Sequence, residues 1–127
     1  MSGKKYKRFL ERLRYQSSPT YECMLFEYHG VSTDEFVQVK YINKCFRVLH
    51  IICGDTVKDS YGDYDIELSL ELDEENTKKL MLCTGSHDGE SLIKAVLNRF
   101  RQSGKNAKTR IEEFCKEEAI EYTTSVY

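Results

Sequence analysis

The chain has 127 residues, with 19 basic and 21 acidic side chains and a formal net charge of −2. This length suits one domain, and the near-neutral charge excludes a uniformly basic nucleic-acid-binding surface. No stretch approaches the roughly 18 consecutive apolar residues of a membrane span. We therefore expect one domain over residues 1–127, without membrane contact and located in the cytoplasm.

The cysteines support the same compartment. They are odd in number, widely scattered, and never in a Cys-x-x-Cys spacing. This pattern fits reduced thiols in a cytosolic protein better than a disulfide framework.

An amphipathic helix is predicted near the start of the chain. Within residues 4–15, Tyr6, Phe9, Leu10 and Leu13 are spaced three, four and seven apart, which places them on one helix face. The helix should end before Pro19, because proline lacks a backbone donor and disfavours helical angles in the residue before it.

Three strands are predicted next, over residues 21–29, 36–42 and 45–53, which are rich in aromatic and β-branched residues. Their short connections imply antiparallel neighbours. The Asn43-Lys44 link is compatible with a tight hairpin, because asparagine tolerates left-handed backbone angles.

Residues 64–72 alternate between apolar and polar without interruption. A strand with this period has one buried and one solvated face. The inward set is Tyr64, Ile66, Leu68, Leu70 and Leu72, and the outward set is Asp65, Glu67, Ser69 and Glu71.

Helices are predicted for most of the remaining chain. A short helix over residues 77–83 can end at Gly85, and a second helix, capped by Ser86 or Asp88, extends towards Gly104. A final helix is predicted over residues 107–118, and residues 120–127 are a candidate for a last strand.

This order of elements predicts an α+β fold: an N-terminal helix, a mostly antiparallel four-stranded sheet, then two or three helices packed on one sheet face. The expected core contains Ile66, Leu68, Leu70, Leu92, Val96, Leu97 and Phe100. Truncation to alanine of Leu68 or Leu97 should then cost about 2–5 kcal/mol.

The sequence contains no recognisable catalytic or metal-binding pattern. His50 and Cys53 are three apart on a predicted strand, so their side chains should point to opposite faces. Ser86, His87 and Asp88 are adjacent, which prevents the linear hydrogen-bonded arrangement of a catalytic triad. We therefore expect a protein that is not an enzyme and has no metal or other cofactor.

Charge segregation is the one unusual feature. Residues 4–14 contain six basic residues and one acid, and residues 92–110 contain six basic residues and no acid. Residues 54–91 contain eleven acids and three basic residues. Such blocks create local fields despite a small net charge.

The main hypothesis from this pattern is a small intracellular protein that acts by binding a protein partner, or a second copy of itself, through complementary charge. In general character it is similar to the accessory and inhibitor proteins of bacteria. The candidate interaction residues are Lys4, Lys5, Lys7, Arg8, Arg99, Arg101, Lys105, Lys108, Asp65, Glu67 and Glu71.

Three alternatives stay open. In the first, the basic helix faces 4–14 and 94–110 contact phosphates, and the chain is a nucleic-acid-binding accessory protein. In the second, the chain is a small-molecule enzyme without a recognisable motif. In the third, the charged stretches are simply solvated helix faces, which are common in globular proteins.

Overall fold

The computed structural model describes residues 20–54 and 65–126. Five strands form one antiparallel sheet in which each strand pairs with the next along the chain. They are β1 (Tyr21–His29), β2 (Thr33–Ile42), β3 (Cys45–Gly54), β4 (Asp65–Glu71) and β5 (Thr123–Val126).

The helical elements described by the structure all lie between β4 and β5. They are α1 (Glu74–Thr84), α2 (Gly89–Phe100), a 3₁₀ turn (Arg101–Asn106) and α3 (Ala107–Glu117). The predicted α+β class and the antiparallel sheet are confirmed. None of these helices has the length and hydrophobicity needed to cross a membrane.

The predicted sheet of four strands is wrong by one strand, because the candidate last strand in residues 120–127 is present as β5 and lies beside β4. It pairs from Leu68 with Val126 to Glu71 with Thr123. Only four residues long and mostly exposed, β5 lacks the apolar alternation that identifies longer strands. The predicted N-terminal helix lies outside the described residues.

The hairpin between β2 and β3 is as tight as predicted. Ile42 pairs directly with Cys45, and Asn43 and Lys44 both have positive φ angles, 53° and 65°. Positive angles at both central residues define the type I′ turn, whose twist matches that of the flanking strands.

The core lies between one face of the sheet and the helices. Val39, Val48 and Leu70 are adjacent across β2, β3 and β4 and are fully buried. The helices add the completely buried residues Leu80, Leu92, Val96 and Ile111. We call this the helix face of the sheet, and the opposite side, on which no described helix packs, the open face.

Two predictions for β4 need correction. Leu68 is only half-buried, because it lies beside His50 and the 67% exposed Val126, away from the densest packing. Ser69, predicted to face water, is fully buried, and its Oγ lies 2.6 Å from Oγ of Ser125. Leu97 is also half-buried but packs against the core.

The turn between α1 and α2 follows the predicted capping chemistry. Gly85 ends α1 with φ 71°. Asp88 begins α2, where its carboxylate accepts a hydrogen bond from the Ser91 backbone N–H at 2.7 Å. The N terminus of α2 is therefore already occupied by an anionic group, the Asp88 carboxylate.

Candidate functional site: the groove beside the edge strand

β1 forms one edge of the sheet and has no second neighbouring strand among the described residues. Its pairing with β2 is regular from Tyr21, opposite Tyr41, to Met24, opposite Gln38; a β-bulge at Leu25 then shifts the register. An edge strand has unpaired backbone N–H and C=O groups on its outer side. The straight stretch from Tyr21 to Met24 can therefore accept another strand.

An apolar groove runs beside this straight stretch, between β1 and α2. It has a volume of about 460 Å³, and its apolar lining comes from Tyr21 and Cys23 on the strand and from Ile93 and Leu97 on the helix. Alternate residues of a strand point to the same face. A strand added to β1 would thus place every second side chain above this groove.

The charged residues around the groove are paired with each other. Lys94 Nζ lies 3.3 Å from Oε1 of Glu90, and Lys40 Nζ lies 3.7 Å from Oε2 of Glu22. The groove itself therefore favours neither an acidic nor a basic occupant.

A second cavity of about 470 Å³ adjoins the groove at Tyr21, a residue that lines both. The rings of Tyr21 and Tyr41 lie side by side there, with centroids 6.4 Å apart and a tilt of 42°. Met81 of α1 adds a third apolar group. We call this the tyrosine cavity.

The position of the Tyr41 ring depends on glycine at the start of α2. A Cβ atom built on Gly89 would lie 2.3 Å and 2.5 Å from two atoms of the Tyr41 ring. Any side chain there would displace the ring. Burial is also the main reason that the pKa of the Tyr41 hydroxyl is raised.

The mouth of the tyrosine cavity has two ammonium groups that share one carboxylate. Nζ of Lys44 and Nζ of Lys78 lie 3.8 Å and 3.7 Å from the same oxygen, Oε1 of Glu74. On another part of the lining, His87 Nε2 lies 3.4 Å from the Asp88 carboxylate. Positive charge therefore exceeds negative charge on the Lys44 and Lys78 side.

The predicted basic surface is only partly neutralised where the structure describes it. Arg99 lies over the Phe114 ring, 4.4 Å from its centroid, and Lys108 Nζ is 3.9 Å from Glu112. Arg101 and Lys105 are exposed and form no ion pair with a described residue. The predicted basic residues of the first segment, Lys4, Lys5, Lys7 and Arg8, lie outside the described residues.

The predicted acidic residues lie on the open face, away from the helices that bear the basic residues. Glu71 Oε1 is 2.8 Å from Arg47 Nη2, while Glu67 forms no ion pair with a described residue. Asp65 begins β4 at a register position on the same face. The fold thus places these acidic residues on the side of the sheet opposite the described basic residues of the segment 92–110.

The histidines pair with carboxylates. Nε2 of His29 lies 2.7 Å from Oε1 of Glu27, and Nδ1 lies 3.2 Å from Oδ1 of Asp34. Both hydrogen bonds raise the pKa of His29, and the one to Glu27 is the larger cause. His50 lies 2.6 Å from Glu35 on the helix face, whereas Cys53 belongs to the open face. Among residues 20–54 and 65–126, no three His, Cys, Asp or Glu side chains are arranged to hold a metal ion.

Sequence reasoning missed the groove, because its lining residues were assigned to ordinary strand and helix positions. The faces expected from their spacing are correct, because Tyr21 and Cys23 lie on one strand face and Ile93 and Leu97 lie on one helix face. What creates the groove is the position of α2 over β1 and β2 at the sheet edge. The local patterns do not specify that position.

Comparisons with protein-family models, with curated proteins and with solved structures found no match. The functional argument therefore depends on the geometry of this chain.

Proposed function

We propose that this chain is a non-enzymatic protein-interaction module that binds an extended segment of a partner protein along β1. The observation that carries the proposal is the regular edge from Tyr21 to Met24, which pairs with no second strand of residues 20–54 and 65–126 and lies beside the apolar groove. In strand addition, main-chain hydrogen bonds provide affinity and pockets for alternate side chains provide specificity. The chain offers both.

The size of the site predicts a modest affinity. The straight edge is four residues long, so an added strand would place about two side chains in the groove. Each buried aliphatic side chain contributes about 1.5–3 kcal/mol, and ordering the bound segment offsets part of that gain. We expect dissociation constants on the order of 10 μM or weaker.

Two observations favour protein binding over the alternatives. The ion pairs of Lys94, Lys108 and Arg110 with nearby glutamates reduce the positive charge that this segment offers to phosphates. The Cys23 thiol contacts the Met24 carbonyl oxygen at 3.7 Å and no histidine among the described residues, whereas a catalytic thiol needs an activating base.

The test is selection from two random octapeptide libraries, one with free C termini and one with the peptides inside a longer displayed chain. Peptides bound by the folded protein are then examined by amide hydrogen exchange. We expect enriched sequences with apolar residues at alternate positions, and slower exchange in residues 21–24.

Two matched variants localise the binding. Leu97→Gln should weaken binding because Leu97 lines the groove, while Leu82→Gln should not, because Leu82 is 82% exposed on α1. Enrichment in neither library would overturn the proposal. Equal peptide binding by the Leu97→Gln variant and the wild-type protein would also overturn it. A dimer that protects β1 without peptide would identify a second copy as the occupant, and would also overturn it.

A further inference from the structure

We propose that the segment bound along β1 ends in the groove with a free C-terminal carboxylate, and that its last side chain, apolar and preferably aromatic, enters the tyrosine cavity. This inference rests on the proposed function and identifies the partner more closely.

The direction of the bound segment follows from the sheet. Every strand pair among the described residues is antiparallel, and antiparallel pairing is slightly more stable per residue than parallel pairing. A segment antiparallel to β1 runs from the His29 end towards Tyr21. Its C terminus therefore arrives where the groove meets the tyrosine cavity.

The cavity suits a flat apolar side chain. Its walls include the tilted rings of Tyr21 and Tyr41 and the thioether of Met81. Aromatic rings favour offset or edge-to-face contacts at centroid distances of about 4.5–7 Å, and thioethers also pack well against aromatic rings. The volume of about 470 Å³ leaves room for such a side chain.

The charge at the mouth suits a carboxylate. Lys44 and Lys78 share Glu74, and all three side chains are at least half exposed, so their contacts are weak and exchangeable. A terminal carboxylate would give each ammonium group its own partner. The start of α2 is unsuitable for this anion, because Asp88 already accepts the Ser91 N–H there.

The two libraries test this inference separately from the proposed function. We expect enrichment mainly in the library with free C termini, with Phe, Tyr or Trp as the last residue. Equal enrichment in both libraries, with β1 protected, would refute the C-terminal inference and leave the proposed function standing. Enrichment in neither would refute both.

Fluorescence anisotropy with one selected peptide then measures the carboxylate directly. We expect the C-terminal amide to bind about two- to fivefold more weakly than the free acid, the range of an exposed ion pair. The double variant Lys44→Gln with Lys78→Gln should reduce the acid to the affinity of the amide. Lys79→Gln, on α1 but outside the cavity lining, is the matched control and should bind like the wild type.

Equal affinity of acid and amide for the wild-type protein would contradict the inference. So would an equal loss of affinity in the Lys79 control, because it would indicate a general effect of charge.

Discussion

Substitution of Gly89 by alanine tests the packing that shapes the tyrosine cavity. The new methyl group would lie 2.3 Å and 2.5 Å from atoms of the Tyr41 ring, so the ring must move by about 1.2–1.7 Å to reach ordinary contact. Overpacking of this kind costs about 1–3 kcal/mol. The preference for alanine over glycine, about 1 kcal/mol in a helix interior, applies little at Gly89, the first residue of α2, so we expect a net loss of about 1–3 kcal/mol.

Urea unfolding of four proteins measures this effect: wild type, Gly89→Ala, Tyr41→Ala and the double variant. Without the ring, Gly89→Ala should be neutral or slightly stabilising, which gives a coupling energy within the range of about 0.5–3 kcal/mol for residues in contact. Glu90→Ala, on the neighbouring exposed residue, should change stability by less than about 0.5 kcal/mol. A Gly89→Ala protein as stable as the wild type would refute the packing argument.

Three further predictions concern the core and the titrating groups. Leu70→Ala should cost about 2–5 kcal/mol in urea unfolding, because Leu70 is fully buried; a loss under about 1 kcal/mol would contradict the described core. Burial raises the pKa of Cys115 to about 11, so iodoacetamide at pH 8 should modify the exposed Cys83 before the buried Cys115; labelling of Cys115 as early as Cys83 would show that its burial is wrong. By NMR, the pKa of His29 should lie above the ordinary histidine value of about 6.5, and Glu27→Gln should lower the midpoint, because the hydrogen bond to Glu27 is the main cause of the raised pKa. Since the folded pKa is raised, this contact stabilises the fold fully below about pH 6.5 and is lost as the pH rises through the folded pKa; an unshifted midpoint would contradict the contact.

Local patterns in the sequence predicted much of the fold. Alternation identified β4, the Asn43-Lys44 pair identified a tight hairpin, and Asp88 was one of two expected caps for α2. These features depend on neighbours in the chain. β5 depends instead on pairing with β4 after more than fifty intervening residues, and its own four residues carry too little pattern to make residues 120–127 more than a candidate strand.

The charge blocks show a second limit of sequence reasoning. Residues 92–110 contain no acid, yet Lys94 pairs with Glu90, Lys108 with Glu112, and Arg110 with Glu113. Side chains three or four residues apart on a helix are neighbours, so a basic residue inside the segment 92–110 can pair with an acid just outside it. The apparent basic surface is therefore partly neutralised by acids just outside it.

The most direct test of strand addition to β1 is residue-resolved amide hydrogen exchange, with and without a selected peptide at saturation. We predict slower exchange at those amides of residues 21–24 that point away from β2, with β5 unchanged. Unchanged exchange along β1 while the peptide is bound would place the peptide elsewhere and contradict the account.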